Sequence, residues 1–204
     1  MRNDAISLKE FWGIIVRLKE DTTVCLRILE ETPEDDEANR SFWRRMYALA
    51  VFSFLDGVTY RMTFHAYAAR ERRDVVFMFD ELTRLEKMYD FDEDAEPVSA
   101  CSHAPMLDNI RFAFNAFARV HYSDYVLPTA DPDWAFLREV VRIRARLEHP
   151  RAPEELEVYE ETVEELLQGL RWYVDRVAEL LEDCLTRFEA KVIEWGNEEN
   201  EVIM

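Results

Sequence analysis

The sequence has few residues that break helices and few that could cross-link the chain. Its 204 residues include only 4 glycines, 7 prolines and three cysteines, Cys25, Cys101 and Cys184. An odd number of widely spaced cysteines excludes a disulfide framework and is typical of a reducing compartment. No apolar run approaches the roughly 18 residues that a membrane span requires. The first residues also lack the apolar stretch of a signal peptide. These absences predict a cytoplasmic protein without a membrane segment.

The sequence also lacks the common motifs of metal and cofactor sites. It contains no glycine-rich phosphate-binding loop and no serine-hydrolase elbow. His65, His103 and His121 do not have metal-ligand spacing with neighbouring Cys, Asp or Glu residues. We therefore predict no metal ion and no cofactor.

Positive charge is scarce, and this limits the possible partners. The net charge is −18, and the stretch from Arg151 to the end carries 5 basic against 16 acidic residues. A strongly acidic surface repels the phosphate backbone of nucleic acids. The segment Arg138–Arg151 is the exception, with five arginines and two glutamates. Such a pattern favours a short, specific phosphate contact over an extended RNA track.

Helix-forming sequence fills most of the chain, since Leu, Glu, Ala and Arg are abundant and strand-like alternation is absent. Apolar periodicity and proline positions predict six helices: Ile6–Glu31, Asn39–Arg70, Asp74–Tyr89, Met106–Tyr122, a fifth within the stretch Asp133–Pro150 that stops at His149, and a last helix from after Pro153 to about Trp195. The predicted fold is a single all-α domain over residues 1–204, a helical bundle with long second and last helices.

The predicted second helix is apolar almost all round. Phe42, Met46 and Leu49 lie on one side, and Trp43 and Phe54 lie on others. An apolar surface this wide implies burial on more than one face. The helix is then either the centre of a bundle or half of a subunit interface.

The stretch Asp133–Pro150, which contains the fifth predicted helix, carries the candidate functional residues. Asp131 or Asp133 is a suitable N-cap for it. Helical spacing places its expected core residues on one stripe: Phe136, Val140, Ile143 and Leu147. Three arginines fall on the opposite side, where a solvated face is the simplest interpretation: Arg138, Arg142 and Arg146.

Arg144 differs from these arginines because it lies about 40° from Val140, beside the apolar stripe. A buried guanidinium is costly unless it is paired or reaches water. Asp56, on the apolar second helix, either pairs with Arg144 or faces solvent. His149 precedes a proline, so helical geometry should fail there. It either interacts with the last carbonyls of the helix or turns toward Arg144, where it could transfer protons.

These residues resemble the mark of the HEPN superfamily, all-α domains of prokaryotic toxin, defence and nucleotide-binding systems. That mark is an arginine, four to six residues, and then a histidine near a helix end, often followed by proline. Arg144-Ala-Arg-Leu-Glu-His149-Pro150 has this spacing, and Arg142 to His149 fits the longer one. The segment 41–62, SFWRRMYALAVFSFLDGVTYRM, is similar to the long helix of an uncharacterised HEPN-like group. The resemblance extends in patches over about residues 40–195.

The resemblance implies a homodimeric, metal-independent endoribonuclease with both Arg–His pairs in one cleft between subunits. His149 would act as acid and base on a ribose 2′-OH, and Arg144 would stabilise the charge on the phosphate, with Arg142, Arg146 and Asp56 in support. The partners it implies are RNA or a nucleotide, and a nucleotidyltransferase-like antitoxin.

Two other functions remain open. Ala145 stands where active members of the family usually carry a polar residue, commonly asparagine. A catalytically silent module that binds a nucleotide or a protein is therefore an alternative. A purely structural helical dimer, with its arginines on the surface, is another.

Overall fold

The chain folds into α-helices, as predicted. The computed structural model describes residues 8–70, 75–89 and 105–201. These ranges contain six α-helices and no strand: α1 (Leu8–Glu31), α2 (Glu37–Ala68), α3 (Phe79–Tyr89), α4 (Met106–Val120), α5 (Trp134–Glu148) and α6 (Glu160–Glu201). The prediction of an all-α helical bundle with long second and last helices is confirmed. The predicted polar connection at Asp90–Ala104 lies outside the described residues.

The described residues fall into two compact units. One, here called the α5 unit, contains the described residues of Ile6–Arg61 and Pro128–Val174. The other, the α4 unit, contains those of Met62–Leu127 and Asp175–Met204. The division passes through α2 and α6, so each long helix contributes to both units. The single domain expected over residues 1–204 stays a prediction.

α2 is buried over one broad side, but the side of its apolar surface that carries Phe42 and Leu49 is not buried in a single chain. In the α5 unit its buried residues include Tyr47, Val51, Phe54, Leu55 and Val58. One face of the helix is mostly exposed. This outer face of α2 consists of residues at positions i, i+4, i+7, i+11, i+14 and i+18: Phe42, Met46, Leu49, Ser53, Asp56 and Tyr60.

α3 begins later in the sequence than predicted. This helix begins at Phe79, and Val75–Met78 is not helical although it was predicted to be. The reason is local, because the Glu81 carboxylate accepts a hydrogen bond from the Met78 backbone N–H at 2.8 Å and so caps the helix at that point. Phe79, the first residue of the helix, is 85% exposed.

The start and the end of α6 also differ from the prediction. Pro153–Leu156 forms a short 3₁₀ helix, and α6 begins only at Glu160. At its other end the helix continues to Glu201, past the predicted end near Trp195. A glycine such as Gly196 costs a helix only about 1 kcal/mol, which is too little to end one by itself.

Two glycines of the α5 unit lie where one helix packs closely against another. Gly57 on α2 lies against the side chain of Leu18 on α1. Gly169 on α6 lies against α5, where an added Cβ would meet the Val140 side chain and would lie 2.9 Å from the Phe136 carbonyl oxygen. Because the second contact is with backbone, α5 and α6 can approach this closely only with glycine at position 169.

An ionic cluster joins the first turns of α2 and α6. Arg44 is buried and pairs with both Glu37 and Glu160, and Arg40 binds the same Glu160 carboxylate at 2.5 Å. The hydrogen bond from Arg40 lowers the pKa of Glu160, with further help from the charges of Arg40 and Arg44. The cluster thus stabilises the start of α6.

The α4 unit has its own apolar cluster, formed where the end of α2 meets α3 and α4: Ala66, Ala69, Val75, Leu85, Phe112, Ala116 and Val120. Polar contacts surround it. Arg119 pairs with Glu81, and Ser123 donates a hydrogen bond to Asp183 on α6 at 2.5 Å. Across the described residues, no helix is both long and apolar enough to cross a membrane.

The crossing at Gly169 leads to a stability prediction. Gly169→Ala should lower the free energy of unfolding by about 2 kcal/mol, because the new methyl group overlaps a backbone carbonyl of α5. Gly13→Ala is the matched control, since a Cβ there meets nothing within 4 Å and should stabilise α1 by roughly 0.5–1 kcal/mol. Urea denaturation measures both. An unchanged Gly169→Ala variant would contradict the close crossing.

Candidate functional site

α5 is positioned by a turn that begins at Asp131. Its carboxylate accepts the backbone N–H of Asp133 at 2.9 Å. Asp133 occupies the N-cap position, but its side chain makes no capping hydrogen bond. Of the two predicted caps, only the Asp131 side chain therefore accepts a hydrogen bond from a backbone N–H at the start of α5. Trp134 then packs edge-on against Trp172 of α6, with ring centroids 5.3 Å apart.

The buried stripe of α5 is rotated from the predicted one. Val140 and Ile143 are buried as predicted, but Phe136 is 36% exposed, and Trp134 and Leu137 are buried instead. The physical reason is the close crossing with α6, where the backbone of Phe136 faces Gly169. Helical spacing identifies the stripe only to within about one residue, and packing at Trp134 and Gly169 determines the rest.

Arg144 lies between two carboxylates. Its Nη1 donates to Asp56 Oδ1 on α2 at 2.5 Å, and its Nε donates to Glu148 Oε1 on α5 at 2.7 Å. The Arg144 side chain is 21% exposed, against 50% for Asp56 and 43% for Glu148. Of the two arrangements that the sequence left open for Asp56, the structure shows the ion pair with Arg144.

Partial burial affects both charges. It raises the pKa of Asp56, and repulsion from Glu148 adds to this, while Arg144 acts in the opposite direction. Burial also acts to lower the pKa of Arg144, but the hydrogen bonds and charges of Glu148 and Asp56 outweigh it and raise the pKa. The guanidinium is thus held as a cation, while Asp56 accepts a proton more easily than an ordinary aspartate.

His149 lies just beyond the end of α5, as predicted from the following proline. Its backbone has left helical geometry, with φ −129° and ψ 55°, and its N–H donates to the Ala145 carbonyl at 3.2 Å. The side chain is exposed and makes no hydrogen bond or ion pair with the described residues. In a single chain the structure does not bring the His149 imidazole into contact with Arg144.

The two supporting arginines occupy different surroundings. Arg142 is exposed and pairs with Glu139 on its own helix, as expected for a solvated face. Arg146 is not on that solvated face, which corrects the prediction. Its Nη1 donates to the carbonyl oxygens of Glu155 at 2.6 Å and Glu157 at 2.9 Å. Arg146 therefore fixes the segment that contains the 3₁₀ helix.

Sequence reasoning did not single out Glu148 as a site residue. Its position four residues after Arg144 is the spacing at which oppositely charged side chains meet on a helix, so the signal was present. Ala145 has an exposed side chain and contributes only its carbonyl, through the bond with His149.

Two histidines meet in the α4 unit, although 56 positions separate them in the sequence. The rings of His65 and His121 are 5.9 Å apart between centroids, and Phe117 lies beside both. Among the described residues, no group of three or more His, Cys, Asp or Glu side chains is arranged to hold a metal ion.

No family model, curated protein or solved structure matches this chain. The resemblance to HEPN domains therefore rests on the residues quoted from the sequence.

Proposed function

We propose that this chain is a HEPN-like homodimer whose Arg144 and His149 contact a phosphate group of RNA in a cleft between two subunits. The observation that carries the proposal is the placement of Arg144. It is an arginine on the buried side of α5, held at a defined position by Asp56 and Glu148, with His149 exposed one turn further on. Preorganised guanidinium groups of this kind are common at phosphate sites.

The outer face of α2 supports the dimer. Phe42 and Leu49 are about half exposed, and Asp56 follows on the same face after two further turns. Apolar side chains grouped on one exposed helix face are typical of interaction surfaces. Because Asp56 also binds Arg144, this surface is continuous with the candidate site. A second copy that packs on it would bring its own Arg144 near the first.

The dimer makes a prediction for Leu49. Leu49→Glu should convert a dimer into a monomer, because it places a charge in the centre of the proposed interface. Leu185→Glu is the control, since Leu185 is 50% exposed against 51% for Leu49 but lies in the other unit. Sedimentation equilibrium measures the mass of each variant. A wild-type monomer, or equal loss of dimer in both variants, would contradict this surface.

Ribonuclease activity without a metal is the specific reaction we propose. His149 would accept the proton of a ribose 2′-OH as this oxygen attacks the adjacent phosphorus, and the 5′-oxygen of the next nucleotide would leave with the proton that His149 returns. The products are a 2′,3′-cyclic phosphate and a 5′-hydroxyl end. Arg144 would bind the charged phosphate oxygens as they gain charge. The 2′-OH requirement restricts the reaction to RNA.

This reaction predicts cleavage of RNA by the purified protein in the presence of EDTA. His149→Ala and Arg144→Ala should each lower the rate by about 10²-fold or more. Arg138→Ala, an exposed arginine of the same helix, should retain the wild-type rate. Gel analysis of end-labelled RNA identifies the product ends. No EDTA-resistant cleavage, or a rate that His149→Ala leaves unchanged, would refute the ribonuclease.

A catalytically silent binding module is the second candidate, and two observations favour it. Ala145 offers no polar side chain, and Arg144 is already bound to two carboxylates. In this form the same cleft would hold a nucleotide or a partner protein without cleaving anything. A nucleotidyltransferase-like antitoxin is the partner that the HEPN resemblance suggests for either form.

A further inference from the structure

Two carboxylates, those of Asp56 and Glu148, compete with any phosphate for the Arg144 guanidinium. A phosphate oxygen binds an arginine through the same N–H donors that Asp56 and Glu148 engage at 2.5 and 2.7 Å. Two carboxylates beside one guanidinium also leave the immediate surroundings with a net negative charge. A phosphate that approaches Arg144 must therefore compete with these two carboxylates, and it binds more easily after one of them has been neutralised or displaced.

Asp56 and Glu148 are not equivalent in this competition. Glu148 is on the same helix as Arg144, four residues later, and moves with it. Asp56 is on α2, so its bond to Arg144 is the one that joins two helices. Burial and the charge of Glu148 also make Asp56 easier to protonate, while the charge and the hydrogen bond of Arg144 oppose this.

The groups that face Asp56 come from α5 and α6. From α5 they are Arg144 and Glu148. From α6, the Tyr173 hydroxyl is sensitive to the charge of Asp56 and forms a 3.0 Å hydrogen bond with Thr59, one turn after Asp56 on α2. Burial raises the pKa of Tyr173, so this phenol stays neutral near pH 7. Protonation of Asp56 thus removes a negative charge beside Arg144, and the neutral Tyr173 phenol does not replace it.

We infer that Asp56 regulates the site as a competing carboxylate: it holds the Arg144 guanidinium in the resting protein and releases it to a phosphodiester when it is protonated or displaced. This inference rests on the proposed phosphate contact at Arg144 and adds its regulation. The resting site binds phosphate weakly near neutral pH and more tightly as the pH falls. Asp56→Asn would remove this dependence on Asp56 and keep the site in its tighter-binding form.

The experiment uses the full chain and a fluorescent 2′-O-methyl oligouridylate. This probe cannot be cleaved through its 2′ position, and its phosphodiesters keep one negative charge each between about pH 5 and pH 8. Fluorescence anisotropy measures its binding to the wild type, Asp56→Asn and Glu139→Gln at both ends of this range. Glu139→Gln is the matched control, because it removes one carboxylate from an arginine pair on α5, that of Arg142.

The expected result is specific to Asp56. Near neutral pH, Asp56→Asn should bind the probe on the order of tenfold more tightly, since one negative charge next to the binding guanidinium is removed. Glu139→Gln should change the affinity by about twofold at most, because its partner is Arg142 rather than Arg144, and the Arg142 side chain is 74% exposed, where salt screens its charge. Wild-type affinity should rise on acidification, more steeply than that of Asp56→Asn.

Three outcomes would overturn the inference in distinguishable ways. If Asp56→Asn and Glu139→Gln strengthen binding equally, the effect is one of overall charge, and Asp56 has no special role. If Arg144→Ala weakens binding but Asp56→Asn has no effect, the proposed phosphate contact at Arg144 is kept and the regulatory role of Asp56 is rejected. If the gain of Asp56→Asn persists in the double variant with Arg144→Ala, both proposals fail. Asp56→Ala, checked for folding by circular dichroism, repeats the test with a second side chain.

Discussion

An arginine that is largely withdrawn from water must have a partner, and this requirement joins α5 to α2. Arg144 follows Val140 by one turn on the buried side of α5, where an unpaired guanidinium would be costly. Asp56 provides the partner from α2. On another side α5 is fixed by its close crossing with α6 at Gly169. Packing and charge together therefore determine where Arg144 lies, and everything proposed about function depends on that position.

Most of the helices follow from local rules. α1 ends at Glu31 because Thr32 and Pro33 come next. The apolar surface of α2 indicated a helix with extensive burial, but not that the side of Phe42 and Leu49 is exposed in a single chain. The errors occurred where a single contact outweighs periodicity. Glu81 caps α3 five residues later than its apolar pattern suggests, and the carbonyl contacts of Arg146 accompany a 3₁₀ helix where α6 was expected to begin. Contacts of this kind join residues that no single-helix pattern relates.

The candidate site could be predicted in part, because some of its features follow from the same local rules. Arg144 stood out because its helical position calls for an apolar residue, and Pro150 indicated that His149 leaves the helix. The sequence offered Asp56 as a possible partner of Arg144 but could not decide between this pairing and an Asp56 that faces solvent. The two residues are 88 positions apart, so no single-helix pattern relates them. Arg146 was misplaced because its partners are backbone carbonyls, which have no signature in the sequence. In the proposed dimer, whether His149 and Arg144 act together depends on how the two subunits pack, and the sequence of one chain does not contain that geometry.

The central claim is that two copies of the Arg144–His149 element face one cleft. Electron–electron double resonance tests it most directly, with a spin label on Ala145→Cys after the native cysteines have been replaced. Ala145 is exposed and lies beside Arg144, so the label reports the distance between the two sites without removing either functional side chain. A shared cleft predicts one narrow distance below about 30 Å, the diameter of a small domain. The absence of any dipolar signal, or a distance well above that diameter, would contradict it.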